Sequence, residues 1–463
     1  MKCAVFVAVF GLTLPAAAQL NDGRPDPDFP VPDRLDLTYA LAFALDNNFA
    51  IRQAKERIRQ QEGIVLEVRA PQIPNVTASG GYQRNDDSVS TTGRDHGWAA
   101  DITARQVVFA GGGVVAGVRS QRLALEAAVL ALQAVINDAL LDVRTRFYLV
   151  LVNRERIKVQ EQNVDLLGRQ LQDVKNRFEA GTVSNFEVLR AEVALANAQP
   201  ALITARNDFR LAIDELRRAL GFANHTEVNV TKIPEFLGAL EFAPAEFGLG
   251  SLPATVGGQN RDFLVSALAA AREHRPDLLR LVKLETAAEQ GLLARRAGFF
   301  PTVSVFGSYD WREAPISSTR STVDGWTLGV QSTWDIFDGR ATAGRVAQAQ
   351  SLIEQSRLAT AEAQLVVDVE IRRAISSYQE ATELAEASQK VTEQAEESLR
   401  LATVRFGAGT TTQLDVLQAQ TDLTTARLNQ LQAYFSYNVA VATLRRAMGL
   451  SDMNRPTGEV KYP

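Results

Sequence analysis

The stretch RFEAGTVSNFEVLRAEVALANAQ, residues 177–199, is written again as RFGAGTTTQLDVLQAQTDLTTAR at residues 405–427. A segment that returns after half the chain marks a duplicated architecture, each copy being one structural unit. The duplication extends outward from this stretch. Leu216-Arg217-Arg218-Ala219-Leu220-Gly221 returns as Leu444-Arg445-Arg446-Ala447-Met448-Gly449, and Pro74-Asn75-Val76 followed by Tyr82 returns as Pro301-Thr302-Val303 followed by Tyr309. Two homologous repeats therefore cover 37–221 and 264–449.

The quoted stretch reads as a helix, a tight turn and a second helix. Gly181 and Gly409 stand where a helix ends on a left-handed residue, a backbone state glycine takes without penalty. Ser184 with Glu187, and Thr412 with Asp415, then have the spacing of a capping box, for which Asp is the poorer partner. Upstream, residues 114–180 contain no proline and only two glycines, so one helix roughly 100 Å long is allowed. The second repeat matches it at 342–408. Helices of that length pack along one another as coiled coil. The shorter helical stretches, 37–69 before the strands and 186–220 after the turn, with 413–448 in the second repeat, are expected to stack end to end and equal one long helix.

Between the short and long helices lie two pairs of alternating segments, 74–85 with 98–110 and 301–313 with 324–338. In the second segment Ala100, Ile102 and Ala104 alternate with Asp101, Thr103 and Arg105, and in the fourth Trp326, Leu328, Val330, Trp334 and Ile336 alternate with polar residues. Each has the length of a tilted membrane-spanning strand. All four tryptophans, Trp98, Trp311, Trp326 and Trp334, fall in or beside these segments, as an aromatic girdle requires. Four strands enclose no lumen, so several chains must contribute.

The remaining sequence sets the compartment. Lys2, an apolar run and the Ala16-Ala17-Ala18 stretch identify residues 1–18 as a secretory signal. Cys3, the only cysteine, lies inside it, which leaves the mature chain no disulfide. No later apolar run is expected to make a transmembrane helix. Segment 19–36 is extended, 222–263 is an irregular module, 450–463 is a tail, and the loops near Asp86 and Ala314 are short and polar. A net charge of −5 gives nucleic acid no electrostatic foothold.

Strand pair, very long helix, RFxAG turn, returning helix ending in LRRALG, all repeated, resembles the TolC-like outer-membrane efflux family over essentially the whole mature chain. Phe109-Ala110-Gly111-Gly112-Gly113 and Phe337-Asp338-Gly339-Arg340 resemble that family's passage from barrel to tunnel. The resemblance implies a mainly α homotrimer, in which a 12-stranded β-barrel in the outer membrane, four strands per chain, continues into a helical tunnel through the periplasm. It further implies that 222–263 is the equatorial module. The hairpin tips, with Arg177, Gly181, Ser184, Arg405, Gly409 and Thr412, would meet a periplasmic adaptor, and the resting entrance would close there.

Asp415 and Gln418 match the family positions of a channel-facing aspartate pair. At i and i+3 they share a helix face, and threefold symmetry would make rings of them; an acidic ring favours cations. Gln418 leaves one of the two carboxylates per chain. Phe406 and Thr411 stand where the family carries a bridging tyrosine and arginine, so the gate is latched differently, with a hydrophobic contact of Phe406 as one candidate. Glu187 is the weaker gate residue, its simpler role being a helix cap.

Enzymatic readings are poor. Gly111-x-Gly113-x-x-Ala116 follows a strand and opens a helix like a dinucleotide fingerprint, but the strand alternates and the helix is several times too long. His96, His225 and His274 lack ligand spacing, and no GxxxxGK[ST] sequence occurs. No cofactor is expected. The expected function is a passive exit duct for small molecules that docks on an adaptor and an inner-membrane transporter, with outer-membrane lipid around its barrel. A type I secretion outlet for polypeptides shares the fold; a periplasmic coiled-coil scaffold would leave the alternating segments unexplained.

Overall fold

A computed structural model describes residues 33–84, 86, 96–222, 233–242, 260–312 and 323–450. The expected signal peptide, most of the extended segment before Leu37, most of both polar loops, much of the module 222–263 with His225, and the tail after Leu450 lie outside the described residues. The elements are β1 (Arg34–Leu35), α1 (Leu37–Asn47), α2 (Phe49–Arg69), β2 (Asn75–Arg84), β3 (His96–Ala110), α3 (Gly113–Glu179), α4 (Asn185–Leu220), β4 (Glu235–Phe236), α5 (Asn260–His274), α6 (Pro276–Arg296), β5 (Thr302–Arg312), β6 (Val323–Thr333), α7 (Ala341–Gly407) and α8 (Gln413–Ala447). Short 3₁₀ turns, Ala70–Gln72 and Ala297–Phe299, lead from α2 and α6 into the strands.

The two 67-residue helices α3 and α7 run the length of the helical part. Near the sheet the packing order is α2, α3, α6, α7; beyond it the order becomes α4, α3, α8, α7. α4 therefore continues the column of α2, and α8 that of α6. The joints are built alike. Asn48 leaves the helix at ψ 127°, caps α2 through Ala50 and Ile51, and donates its side-chain amide to the Ala219 carbonyl at the end of α4 at 2.7 Å. The expected helix 37–69 is thus two helices. In the second repeat Arg275 holds that position, donating to the Ala447 carbonyl at 3.4 Å and pairing with Asp277 and Glu370 at 2.6 Å each.

These joints explain LRRALG. Gly221, at φ 84°, lies so close to the α1–α2 break that a Cβ would stand 2.3 Å from the Asn47 carbonyl oxygen. Apolar cores flank both joints: Phe147, Leu151, Leu216, Leu220 and Phe236 at the first, Phe263, Ile371, Tyr378, Tyr437 and Leu444 at the second. Of the expected irregular module, β4 pairs in parallel with β1, and α5 already begins at Asn260.

The returning helices bury alanine at every seventh position, Ala191, Ala198, Ala205, Ala212 and Ala219 on α4, and Ala419, Ala426, Ala433, Ala440 and Ala447 on α8. Small side chains let the long helices approach closely, and the seven-residue spacing imposes a left-handed supercoil. One 18-residue window of α3 is apolar enough to cross a membrane by composition, contrary to the expectation of none. In the fold that helix belongs to the helical layer, flanked by other helices along its length.

The four longer strands form one antiparallel sheet in the order β2-β3-β5-β6. β6 stops at Thr333, so Trp334 and Ile336 lie beyond the strand and not within it as alternation alone suggested. A bulge between Val107 and Phe109 shifts the β3 register so that Phe109 faces Val303. Because sidedness has period two, the extra residue turns Phe109 to the same face as Val303 and Val305.

Candidate functional site

Both hairpin tips close with the same hydrogen bonds. The Thr182 amide donates to the Arg177 carbonyl at 2.9 Å and the Gly181 amide to Phe178 at 2.8 Å; Thr410 and Gly409 repeat this toward Arg405 and Phe406 at 2.9 and 3.1 Å. This is the Schellman pattern, and it requires the positive φ that Gly181 (73°) and Gly409 (71°) supply. Neither glycine has an atom near its missing Cβ, so only the backbone conformation demands glycine there.

The caps are reversed from expectation. Ser184 makes no side-chain cap, whereas Thr412 and Asp415 form a full capping box. Asp415 Oδ2 accepts from the Thr411 hydroxyl at 2.5 Å, the Thr412 hydroxyl at 2.7 Å and the Thr412 amide at 2.9 Å. The shorter aspartate is held because the Thr411 hydroxyl joins the Thr412 hydroxyl and amide on its Oδ2. Those bonds, the Thr411 hydroxyl foremost, hold its pKa down at about 2. Gln418 donates to Asp422 at 2.9 Å. Asp415, Gln418 and Asp422 thus line one helix face, with Asp422 one turn beyond Gln418. Sequence reasoning missed Asp422, although its i+7 spacing from Asp415 was the available signal.

Glu187 and Phe406 join the two tips. With the Gln413 amide turned so that its nitrogen faces Glu187, it donates to the carboxylate at 2.5 Å and to the Glu187 carbonyl at 3.3 Å. Gln413 is buried there. The Arg177 guanidinium lies 4.7 Å from the Phe406 ring centre and pairs with Asp173 at 2.9 Å. Phe406 is therefore held by a cation and not by a purely hydrophobic contact. Arg190 stacks on Phe186 at 4.7 Å and reaches Glu187 at 3.7 Å. Arg405 makes no ion pair among the described residues.

Above the tips, the seam between α3 and α8 is polar. Asn163 accepts from Gln420 at 2.9 Å and Thr424 at 3.3 Å, and Gln420 accepts from Gln170 at 3.4 Å. Each hairpin has its own apolar interior, with Leu167, Val174, Val188 and Ala191 in the first and Val416, Ala419, Leu423 and Ala426 in the second. The hairpins are firm bodies with a more exchangeable contact between them.

The other end of the molecule is sorted by face. Val76, Tyr82, Trp98, Ile102, Val305, Tyr309, Trp311, Trp326, Leu328 and Val330 share one side of the sheet and are exposed. Opposite them, Ser79 bonds Asp101, Arg105 donates to Ser304 at 3.1 Å and to Gln331 at 3.3 Å, and Ser308 donates to Asp310 at 3.0 Å. Phe306 is the large aromatic exception on that face, and its ring lies where Gly329 leaves room. Tyr82 packs on Trp98 at 4.8 Å, and Tyr309 pairs across the strands with Trp326, which gathers Trp98, Trp311 and Trp326 at one end. Trp334 stands at the other, donating to the Phe299 carbonyl at 3.2 Å among exposed Phe299, Phe300, Ile336 and Phe337. The nine steps from Thr302 to Trp311, at ~3.3 Å each and a tilt near 40°, separate the two belts by roughly 23 Å, close to the height of a barrel's apolar band.

Gly111 and Gly113 serve packing at this end. A Cβ on Gly111 would meet the Ala297 carbonyl and Phe300 at 2.8 Å, and one on Gly113 would meet Ala297 at 2.6 Å. The nucleotide-like spacing thus reflects the close approach of β3 and α3 to the second repeat. Among the described residues no group of His, Cys, Asp and Glu is placed to hold a metal.

The model of the family described as outer membrane efflux protein matches residues 41–222 and again residues 267–450. The chain belongs to that family. The efflux-family chain is 25% identical to protein CyaE of Bordetella pertussis over 96% of its own length and 91% of that protein. It is 24% identical to the outer membrane efflux protein BepC of Brucella suis, over 89% and 85% of the two chains. Its fold matches the solved structure of CusC with a TM-score of 0.74 at 16% identity, covering 89% of this chain and 92% of that one. Family and fold are those of outer-membrane channel proteins, not enzymes.

Proposed function

We propose that this chain is one protomer of a passive outer-membrane exit duct, a homotrimer whose strands close a 12-stranded barrel and whose helices form a tunnel through the periplasm. The observation that carries this reading is the pair of open edges. β2 and β6 end the sheet, and the α2/α4 column and α7 end the helical layer, with no further strand or long helix beside them among the described residues. An unpaired edge beside a lipid-facing surface is untenable in a bilayer, so the edges must pair between copies. Exposed Phe186, Val193 and Ile203 on α4, and Leu358, Leu365 and Val369 on α7, offer apolar stripes for the same association.

Small molecules enter at the hairpin tips, where a periplasmic adaptor joins the duct to an inner-membrane transporter that supplies the energy. Asp415, Gln418 and Asp422 line the entrance, and the Arg177–Phe406 and Glu187–Gln413 contacts hold it closed. Arg177, Gly181, Ser184, Arg405, Gly409 and Thr412 belong to the adaptor-docking tips. Membrane fractionation with crosslinking tests the reading. Recovery in the outer membrane, as a crosslinked trimer that captures an adaptor through cysteines placed beside Gly181 or Gly409, is expected; recovery in the soluble periplasm would refute it.

A further inference from the structure

We infer that Arg69, Arg296 and Arg340 form a collar at the helix-side end of the barrel that binds the phosphates of anionic phospholipids in the periplasmic leaflet. The inference rests on the barrel reading above. Arg69 and Arg296 occupy the same place in the two repeats, each closing the helix that enters a 3₁₀ turn, Ala70–Gln72 or Ala297–Phe299, and then a strand. Arg340 lies between β6 and α7, so topology sets all three at one level, beside the belt of exposed Phe299, Phe300, Trp334, Ile336 and Phe337.

Arg340 carries a second observation. It is the one described non-glycine residue with positive φ, 70°, and the matching place in the first repeat is Gly112, at φ 77°. The second repeat thus keeps a long cationic side chain in a conformation that favours glycine, and an outlier of this kind points to a function. All three arginines are exposed and none forms an ion pair among the described residues, whereas most arginines farther along the helices do. Exposed Glu67 and Asp335 lie nearby in sequence without pairing to them, and Asp338 turns to the Thr342 amide at 2.7 Å. Apolar side chains at acyl depth, flanked by unpaired guanidinium groups, fit a headgroup phosphate, which arginine binds through paired N–H donors.

The test uses the full-length protein in nanodiscs of phosphatidylcholine mixed with phosphatidylglycerol. After gentle re-extraction, the lipid that stays bound is counted by mass spectrometry. The wild type retains phosphatidylglycerol preferentially, and the preference falls about fivefold with each of R69Q, R296Q and R340Q. R340K keeps it. R340G loses its share while raising the thermal midpoint, because glycine relieves the positive φ; a purely structural arginine would not separate the two readouts. R210Q on α4 is the control and changes nothing. An unchanged preference in the triple variant overturns the inference, as does displacement of the lipid by inorganic phosphate, which would make the collar a free-ion site. A chain that fails to enter nanodiscs overturns the barrel reading as well, whereas entry without lipid preference overturns this inference alone.

Discussion

At the scale of single residues, glycines that look equivalent in the sequence do different work. Gly221 is required by contact as well as by φ, so Gly221→Ala should cost about 3 kcal/mol. Gly181→Ala meets open space and should cost about 1–2 kcal/mol, from φ alone. Thermal unfolding of the two variants measures the difference. Asp415 gives a prediction in pH. Its folded-state pKa of about 2 lies below the ordinary 3.8, so its cap contributes fully above about pH 4 and is lost as pH falls through about 2. Cation preference in planar bilayers should therefore hold unchanged from neutral pH to about pH 4 and fall below it, while Asp415→Asn should weaken it at neutral pH and remove that fall. A preference that fades near pH 5 would mean other carboxylates govern the entrance.

At the scale of elements, each hairpin is stiffened by its own buried alanines and leucines, and near the tips the contact between hairpins is a few polar bonds and one cation on an aromatic ring. Motion is therefore expected between hairpins and not within them. Phe406→Leu should remove about 0.5–1 kcal/mol of closure per chain, a roughly two- to fivefold shift toward the open entrance. The closed-state conductance of single channels reports it, and an unchanged value would count against the latch. At the joints, Asn48→Ala removes an N-cap and leaves the Ala219 carbonyl without its partner, so a loss of about 2–3 kcal/mol is expected in thermal unfolding.

At the scale of the whole molecule, the described residues of one chain leave two edges of sheet and two of helix uncovered, and the proposed association would cover them. Cys3, within the segment expected to be a signal, is the chain's only cysteine, so cysteine pairs placed along β2 and β6 report directly on edge pairing. Oxidation should give dimers and trimers and no higher ladder, because a closed ring has no free edge. An open-ended ladder would indicate a filament and exclude the barrel.

The sequence alone determined the duplication, the hairpin tips and the two-faced strands, because a repeated motif, a left-handed glycine and a period of two are local signals. It also contained the seven-residue alanine ladders and Asp422, which are local signals too. Tertiary structure decided where α1 gives way to α2, because that break is set by the arriving end of α4, whereas Pro276 at the first position of α6 marks the α5–α6 break locally. It decided that Thr412 and not Ser184 caps its helix, that Phe406 sits under Arg177, and that Trp334 lies outside β6. Each of these depends on a neighbour distant in sequence or on a hydroxyl whose orientation the turn fixes, and periodicity carries no record of either.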